Sequence, residues 1–300
     1  RESRHHYHNL IVAATGTGKT AIAAFDYRRF ARSRQEGATL LFVAHREEIL
    51  KQAQSCFRQV MRDPGFGGLY VGKDRTEDPS HVFMSIQSFE SSGFWKRMDP
   101  AYYDMIIVDE FHHAAAKSYQ HLLTWFKPRI LLGLTATPER MDGKDILSYF
   151  DGHIAAEIRL SDAIERRLLC PFHYFGVEDP LDLSHIKWTN GQYDTGELNR
   201  LFALESSSAL KRAHSILDAL DRYTADIHAI RGLGFCVSKA HARFMADYAN
   251  THGIPALALT SEASEEERTS ARTALETGKI NLLFAVDLFN EGVDIPSIDT

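Results

Sequence analysis

A short glycine-rich turn constrains this chain more than any other feature of its sequence. The turn, residues 13–20, reads AATGTGKT; the apolar run Leu10–Ala13 leads into it and an alanine-rich segment follows it. A strand, a tight glycine turn and a helix in this order form the context that a phosphate-binding loop requires. Glycines let backbone N–H groups turn toward an anion, and the helix N-terminus adds partial positive charge. We therefore predict a nucleotide-phosphate site here, in preference to a plain glycine turn beside a surface lysine.

The residue types in the turn assign the expected roles. Lys19 would reach the β- and γ-phosphates, and the Thr20 hydroxyl would ligate Mg²⁺. Ala13 stands where the usual pattern has its first glycine, a departure that many P-loop ATPases share. The residues predicted to bind the nucleotide are Ala14, Thr15, Gly16, Thr17, Gly18, Lys19 and Thr20.

Two adjacent acids follow a second apolar run. Asp109 and Glu110 come directly after Met105–Val108, and ligands of open α/β sheets bind at the carboxyl ends of strands. An Asp-Glu pair alone is a common loop feature, but a phosphate loop upstream gives it a chemical role. Asp109 would hold Mg²⁺ through its water shell, and Glu110 would orient and deprotonate the attacking water. The predicted catalytic residues are Lys19, Asp109 and Glu110.

Short apolar runs recur between amphipathic segments along the whole chain. Buried strands that alternate with helices predict an α/β fold with mostly parallel sheets covered on both faces. The predicted strands of the first half are 10–13, 40–44, 82–86, 105–108 and 130–134. Ser264 and Glu267 form a capping box that opens a helix in the second half. The other elements predicted there are helices 209–223 and 241–251 and strands 233–237, 256–259 and 282–286.

The length of 300 residues fits two domains at roughly 150 residues each. We predict a first domain over 1–160, a connection over 161–205, where prolines and glycines break any clean period, and a second domain over 206–300. The chain stops soon after an apolar run, so we expect the sheet of the second domain to be incomplete at its C-terminal end.

Composition excludes several classes of protein. The formal net charge of -6 supplies no general attraction to nucleic acid, so phosphate contacts must come from local arginines and lysines. No apolar run approaches the ~18 residues of a membrane span, and the first residues are polar. We therefore expect a cytoplasmic protein with no membrane partner. The cysteines, Cys56, Cys170 and Cys236, are too widely spaced for a zinc knuckle or a disulfide framework and are expected to be buried thiols.

A third strand-end segment, Thr135-Ala136-Thr137-Pro138, follows the apolar run Ile130–Leu134. Its small hydroxyl side chains fit a loop packed against the carboxylate site, although a capped helix start before Pro138 has the same pattern. The phosphate loop, the Asp109–His112 segment and this segment, each at a strand end, resemble motifs I, II and III of the superfamily-two helicases and translocases, in the DExH subgroup. The resemblance implies two RecA-like domains. It also implies that His112, Thr135, Ala136 and Thr137 couple the nucleotide site to a nucleic-acid groove.

Further segments extend the resemblance across nearly the whole chain. Residues 43–46 (VAHR) are similar to motif Ia and residues 85–88 (SIQS) to its neighbour, both of which touch the nucleic-acid backbone in this family. Residues 234–238 (GFCVS) are similar to motif IV, and residues 285–296 to motif V, which in the family lies between nucleotide and nucleic acid. The resemblance thereby implies nucleic-acid contacts at Arg46, Ser85, Gln87 and Ser238, and nucleotide contacts at Gly292 and Asp294.

The chain most resembles bacterial restriction-type helicases, of the type III restriction subunit kind. This closer resemblance lies around residues 132–140, 162–175 and 233–294. Some members carry a phospholipase-D-like nuclease domain in front, so nuclease or other accessory domains are expected partners in a longer protein. The upstream glutamine-containing segment that often recognises the adenine base in this family is absent from the sequence. The arginines of motif VI would follow Thr300.

The implied function is an ATP-dependent helicase or translocase that uses Mg²⁺ and acts on nucleic acid, with DNA favoured and RNA left open. A P-loop kinase or GTPase shares the phosphate loop but has no use for the Thr-Ala-Thr segment or a second α/β unit. A non-catalytic scaffold is the other alternative. It has no chemical reason to retain Lys19, Thr20, Asp109 and Glu110 together.

Overall fold

The chain divides into two units, residues 1–172 and 173–300. The division predicted from the sequence, at residues 160 and 205, stays a prediction. The computed structural model describes residues 7–34, 37–138, 146–179, 183–184, 186–189, 192–202, 207–286 and 295–300.

Eight strands form one sheet in the first unit, in the order β4-β3-β5-β2-β6-β7-β1-β8. All neighbours are parallel except β3 and β4, so the carboxyl ends of the parallel strands share one edge. The strands are β1 (His8–Ala13), β2 (Leu40–Ala44), β3 (Gly68–Val71), β4 (Asp74–Arg75), β5 (His81–Ser85), β6 (Met105–Val108), β7 (Ile130–Thr135) and β8 (Ile154–Ile158).

Helices cover both faces of this sheet. They are α1 (Lys19–Arg32), α2 (Glu47–Met61), α3 (Ile86–Ser92), α4 (Lys117–Trp125) and α5 (Leu160–Glu165), with 3-10 turns at Phe94–Arg97, Phe111–Ala115 and Ile146–Phe150. All five residues of β2 are buried because its alternate side chains enter two cores. Leu40, Phe42 and Ala44 pack on α1 and α2, and Leu41 and Val43 pack on the α3 and α4 side. A continuous apolar run is therefore the expected signature of such a strand.

The second unit contains a three-stranded parallel sheet in the order β11-β13-β12. Ser264 and Glu267 form the predicted capping box: the Ser264 hydroxyl accepts from the Glu267 amide at 3.2 Å, and the Ser264 amide donates to the Glu267 carboxylate at 2.7 Å. The elements are α6 (Thr195–Phe202), α7 (Ser207–Tyr223), α8 (Lys239–Thr251) and α9 (Glu265–Glu276), the short antiparallel pair β9 (Trp188–Thr189) and β10 (Gln192–Tyr193), and β11 (Gly232–Phe235), β12 (Ala256–Leu259) and β13 (Leu282–Ala285).

The α/β prediction is confirmed, and each strand predicted in the two halves is present with ends shifted by at most two residues. Strands β3, β4, β8, β9 and β10 were not predicted from the sequence. β8 is an edge strand with three exposed central residues, so it lacks the apolar run that marks an inner strand. The expectation of buried thiols is wrong for Cys170, which is exposed. Among the helices of the described residues, none is long and apolar enough to cross a membrane.

Gly133, inside β7, is packed tightly against the core on the α3 and α4 side of the sheet. A Cβ built there would lie 2.5 Å from Phe150 Cζ, 2.9 Å from Leu10 Cδ1 and 3.0 Å from Phe111 Cδ2. Gly133→Ala is therefore expected to destabilise the first unit by ~1–3 kcal/mol through overpacking. Denaturant unfolding followed by fluorescence of Trp95 and Trp125 measures this change. Gly65→Ala, at an exposed site where the nearest atom is 3.4 Å away, is the control, and equal stability of the two variants would contradict the prediction.

His241, in the first turn of α8, makes the second unit sensitive to acid. It is 4% exposed, and burial, followed by the charge of Arg212, lowers its pKa from 6.5 to about 4. Between these values the unfolded chain binds a proton that the folded unit does not, so stability falls as the pH falls through this window. The loss is complete near pH 4 and amounts to ~3 kcal/mol.

Amide hydrogen exchange in α8, corrected for its intrinsic pH dependence, measures this loss in the second unit alone. His241→Gln should flatten the pH profile, because glutamine does not titrate. His214→Gln changes a histidine on α7 whose side chain is 63% exposed, and it should leave the profile intact. The same slope in both variants would assign the acid sensitivity to other groups.

Candidate functional site

The phosphate loop joins β1 to α1 at the carboxyl edge of the first sheet. The Ala14 amide anchors the loop to β8 by donating a hydrogen bond to the Ile158 carbonyl at 3.0 Å, and the Thr17 hydroxyl donates to the Ala14 carbonyl at 2.6 Å. Gly16 and Gly18 both have φ +84°, a conformation that L side chains rarely adopt. Space is not the constraint at Gly18, because a Cβ there would meet nothing within 4 Å.

The N-terminus of α1 presents amide groups without a side-chain partner of its own. Gly18 occupies the N-cap and provides no side-chain cap, and the first turn contains no acidic residue. The leading N–H groups of a helix need an acceptor, and a phosphate is a suitable one. Lys19, the first helical residue, donates from Nζ to the Ala13 carbonyl at 2.9 Å. The residues around this end of α1 therefore fit the phosphate groups of a nucleotide.

Asp109 and Glu110 follow β6 at the same edge. β6, β7 and β1 are neighbours, with Val108 paired to Gly133 and Val12 paired to Thr135, so the three predicted segments meet although they are far apart in the chain. Asp109 is 6% exposed, and its Oδ1 accepts the Glu110 amide at 2.9 Å. The charge of Lys19 acts on both carboxylates.

The two carboxyl groups differ in their electrostatic environment. Burial, followed by the charge of Glu110, raises the pKa of Asp109 to about 6. Burial also acts to raise the pKa of Glu110, but the hydrogen bond from His112 and the charge of Lys19 outweigh it, so this pKa lies below its ordinary value. Glu110 is thus held as a carboxylate, while Asp109 is an acid whose charged form needs a cationic partner.

His112 lies between the second and third segments. Its Nδ1 is 3.3 Å from Glu110 Oε2 and 3.3 Å from Thr135 Oγ1. The Thr135 hydroxyl donates to the Thr137 carbonyl at 3.0 Å and accepts the Thr137 amide at 3.2 Å. Since the hydroxyl proton is used on Thr137, Oγ1 is left to accept from a protonated Nδ1 of His112. The Thr-Ala-Thr segment thereby forms a hydroxyl-bonded turn against His112.

The oxygen atoms at this edge suit a metal ion whose ligands are mostly water molecules and phosphate oxygens. Among the described residues no group of three or more His, Cys, Asp or Glu side chains could hold a metal ion. Mg²⁺ is bound in such nucleotide sites by one or two protein oxygens together with substrate phosphates. The Thr20 hydroxyl and the Asp109 carboxylate are the residues whose chemistry fits that pattern.

The residues predicted to contact nucleic acid differ in their exposure to solvent. Gln87 is exposed. Ser85 is 3% exposed, and its hydroxyl accepts the Ser88 amide at 3.1 Å as the cap of α3, so in this structure it supports α3 and is not accessible to a ligand. Ser238 likewise caps α8 by accepting the His241 amide at 3.1 Å. Gly292 and Asp294 lie outside the described residues.

Sequence reasoning missed two histidines that the structure brings to the site. Arg46 Nε donates to His45 Nε2 at 3.1 Å, and the His45 ring meets the His113 ring edge-on, 5.0 Å between centroids. His45 precedes Arg46 in the segment 43–46 that resembles motif Ia, and this adjacency could have indicated a role for His45. The contact with His113 depends on the pairing of β2 with β6, which the sequence does not reveal.

Comparison with known proteins matches both halves of the chain. Residues 1–140 match the family described as "Type III restriction enzyme, res subunit", and residues 216–300 match "Helicase conserved C-terminal domain". The chain is 26% identical over 298 residues to "Putative ATP-dependent helicase IRC3" of Saccharomyces cerevisiae, covering 95% of this chain and 42% of the relative. It is 23% identical to "DNA 3'-5' translocase XPB2" of Sulfurisphaera tokodaii, covering 96% and 68%.

A solved structure has the same fold. It is "the fragment structure of a putative HsdR subunit of a type I restriction enzyme" from Vibrio vulnificus YJ016, with a TM-score of 0.69 and 23% identity, covering 98% of this chain and 53% of that one. The chain spans about half the length of the first curated relatives it matches. The restriction-subunit match and the helicase match confirm the resemblance of this chain to the superfamily-two helicases and translocases of the restriction-enzyme type.

Proposed function

We propose that this protein is a Mg²⁺-dependent ATPase that couples hydrolysis to movement along nucleic acid or its remodelling, with DNA as the favoured substrate. One observation carries the proposal: Lys19, Asp109 and Glu110 meet beside an uncapped helix N-terminus at the carboxyl edge of a parallel sheet. A phosphate chain, a cation and an attacking water all have a partner there. The names of the relatives, an ATP-dependent helicase and a DNA translocase, support the choice of ATP and DNA.

ATP would be held through its phosphates. The amides of Gly16 to Thr20 and the positive end of α1 stabilise the negative charge of the phosphate chain. Lys19 would exchange its hydrogen bond to the Ala13 carbonyl for a charge-assisted bond to the β- and γ-phosphates, a stronger interaction. Thr20 and Asp109 would hold Mg²⁺, and the bound ion would neutralise part of the phosphate charge.

Hydrolysis then depends on the placement of water. Glu110 is buried enough to fix its geometry, with a side chain 13% exposed, and His112 at 3.3 Å holds the carboxylate from one side. Because its pKa lies below the ordinary value, Glu110 is charged and can orient a water for in-line attack on the γ-phosphorus. Positioning and charge stabilisation supply most of the catalysis in reactions of this kind.

Nucleic acid would bind along the same edge of the sheet. Arg46 follows β2, and the exposed Gln87, in α3, follows β5. Because β2 and β5 are paired neighbours, both residues lie at the same edge of the sheet. Contacts of an arginine and an amide with the sugar-phosphate backbone position a strand without reading its sequence. We therefore infer weak sequence preference and a strong dependence of binding on salt.

Lys19→Ala is expected to lower nucleic-acid-stimulated ATP turnover by ~10²–10³-fold, because one charge-assisted contact to the reacting phosphates is lost. Release of inorganic phosphate by the intact protein measures the effect. Lys51→Ala is the matched control, since Lys51 pairs with Glu47 on the surface of α2 at 2.9 Å. Turnover of Lys19→Ala at the control level would contradict the assignment of the phosphate loop.

Glu110→Gln should separate binding from hydrolysis. The substitution keeps the side-chain shape and leaves Asp109 in place but removes the base, so turnover should fall by ~10²–10⁴-fold. Equilibrium titration with a fluorescent ATP analogue should give an affinity close to that of the unsubstituted protein. Glu77→Gln, at an exposed site, is the control. Loss of affinity together with turnover would place Glu110 in metal binding and overturn the division of roles between the two acids.

A further inference from the structure

Two histidines connect the candidate nucleic-acid contact to the candidate base. Arg46 Nε donates to His45 Nε2 at 3.1 Å. The rings of His45 and His113 lie edge to face, with centroids 5.0 Å apart and planes at 64°. A continuous set of contacts therefore leads from the guanidinium of Arg46 to the turn that contains Glu110.

His113 contacts Glu110 directly through its backbone and indirectly through the ring of His112. The His113 amide donates to the Glu110 carbonyl at 3.0 Å, which closes the first turn of the 3-10 segment. Its ring lies 4.1 Å, centroid to centroid, from that of His112, whose Nδ1 is 3.3 Å from Glu110 Oε2. A displacement of the His113 ring would therefore act on the position of the Glu110 carboxylate.

The backbone at Glu110 is in a conformation that its surroundings must maintain. Its φ of 49° and ψ of 52° are left-handed, and a non-glycine residue pays for this conformation in free energy. Such strain persists only where neighbouring contacts hold the residue. The turn at Glu110 is thus an element whose placement can respond to a change in its neighbours.

We propose that His45 and His113 are positioning residues, which transmit the binding of a nucleic-acid phosphate at Arg46 to the placement of Glu110. A guanidinium that binds a phosphate side-on uses its Nε proton, and that is the proton His45 accepts here. Phosphate binding would therefore release His45, change its contact with His113 and re-aim Glu110. The inference rests on the proposed function and names the residues through which nucleic acid stimulates hydrolysis.

The experiment measures ATP turnover of the intact protein with and without saturating single-stranded DNA, with duplex DNA in a second series and with single-stranded RNA in a third. The ratio of stimulated to basal turnover is the readout, and DNA affinity is measured separately by fluorescence anisotropy. His45→Ala is expected to reduce the ratio by ~5–10-fold, within the usual range of coupling between sites, with DNA affinity changed by less than the ratio. His121→Ala is the matched control, because His121 lies on α4 and its side chain is 62% exposed beside Glu90.

Phenylalanine substitutions test which feature of each ring matters. His45→Phe keeps a ring against His113 but removes the acceptor for Arg46, so it should reduce the ratio as much as His45→Ala. His113→Phe keeps the ring that His45 contacts, so it should retain a higher ratio than His113→Ala. A residue needed only for folding would show no such asymmetry, and thermal melts of all four variants identify any that fail to fold.

Three outcomes overturn the inference, and they can be distinguished from one another. If neither DNA nor RNA stimulates the unsubstituted protein, the proposed function fails and the inference fails with it. If the unsubstituted protein is stimulated and the folded His45 and His113 variants are stimulated to the same ratio, the proposed function stands and the role of the two histidines is wrong. Equal ratios for His113→Phe and His113→Ala would also reject the ring contact.

Discussion

The adjacency of β6, β7 and β1 in a parallel sheet is the constraint on which the site depends. Parallel strands end at one edge, so residues that follow them converge whatever their separation in the chain. Here that edge receives the phosphate loop after β1, the two acids after β6 and the hydroxyl-bonded turn at the end of β7. The Asp109 amide extends the convergence to β2 by donating to the Val43 carbonyl at 2.9 Å. A change in strand order would disperse every group of the site.

The acids at this edge are placed at a cost to stability. Asp109 is nearly fully buried beside another carboxylate, an arrangement that a fold selected for stability alone would avoid. Lys19 and His112 offset part of the cost, and nucleotide and metal would offset more. The apolar packing around Gly133, Phe111 and Phe150 surrounds the same region. Close packing there keeps the strained turn at Glu110 from relaxing.

Features that depend on a local sequence pattern could be predicted from the sequence. Inner strands of a parallel sheet are continuous apolar runs, and the glycines of a phosphate loop are required by their backbone conformation, so both could be predicted. β8 could not, since an edge strand with exposed residues has no apolar run. Ser85 shows another limit: a serine before a helix suits both a ligand contact and a helix cap, and burial decides between them. The meeting of His45 with His113 required the three-dimensional pairing of β2 with β6.

The uneven burial of the cysteines has a practical consequence for labelling. Burial raises the pKa of the Cys56 thiol and raises that of Cys236 to about 12, whereas Cys170 is exposed. Maleimide reagents attack the thiolate, so Cys170 should react first. It lies two residues before the boundary between the units. The native chain can therefore accept a fluorophore at this boundary without an introduced cysteine, which gives an optical reporter of the segment that joins the two units.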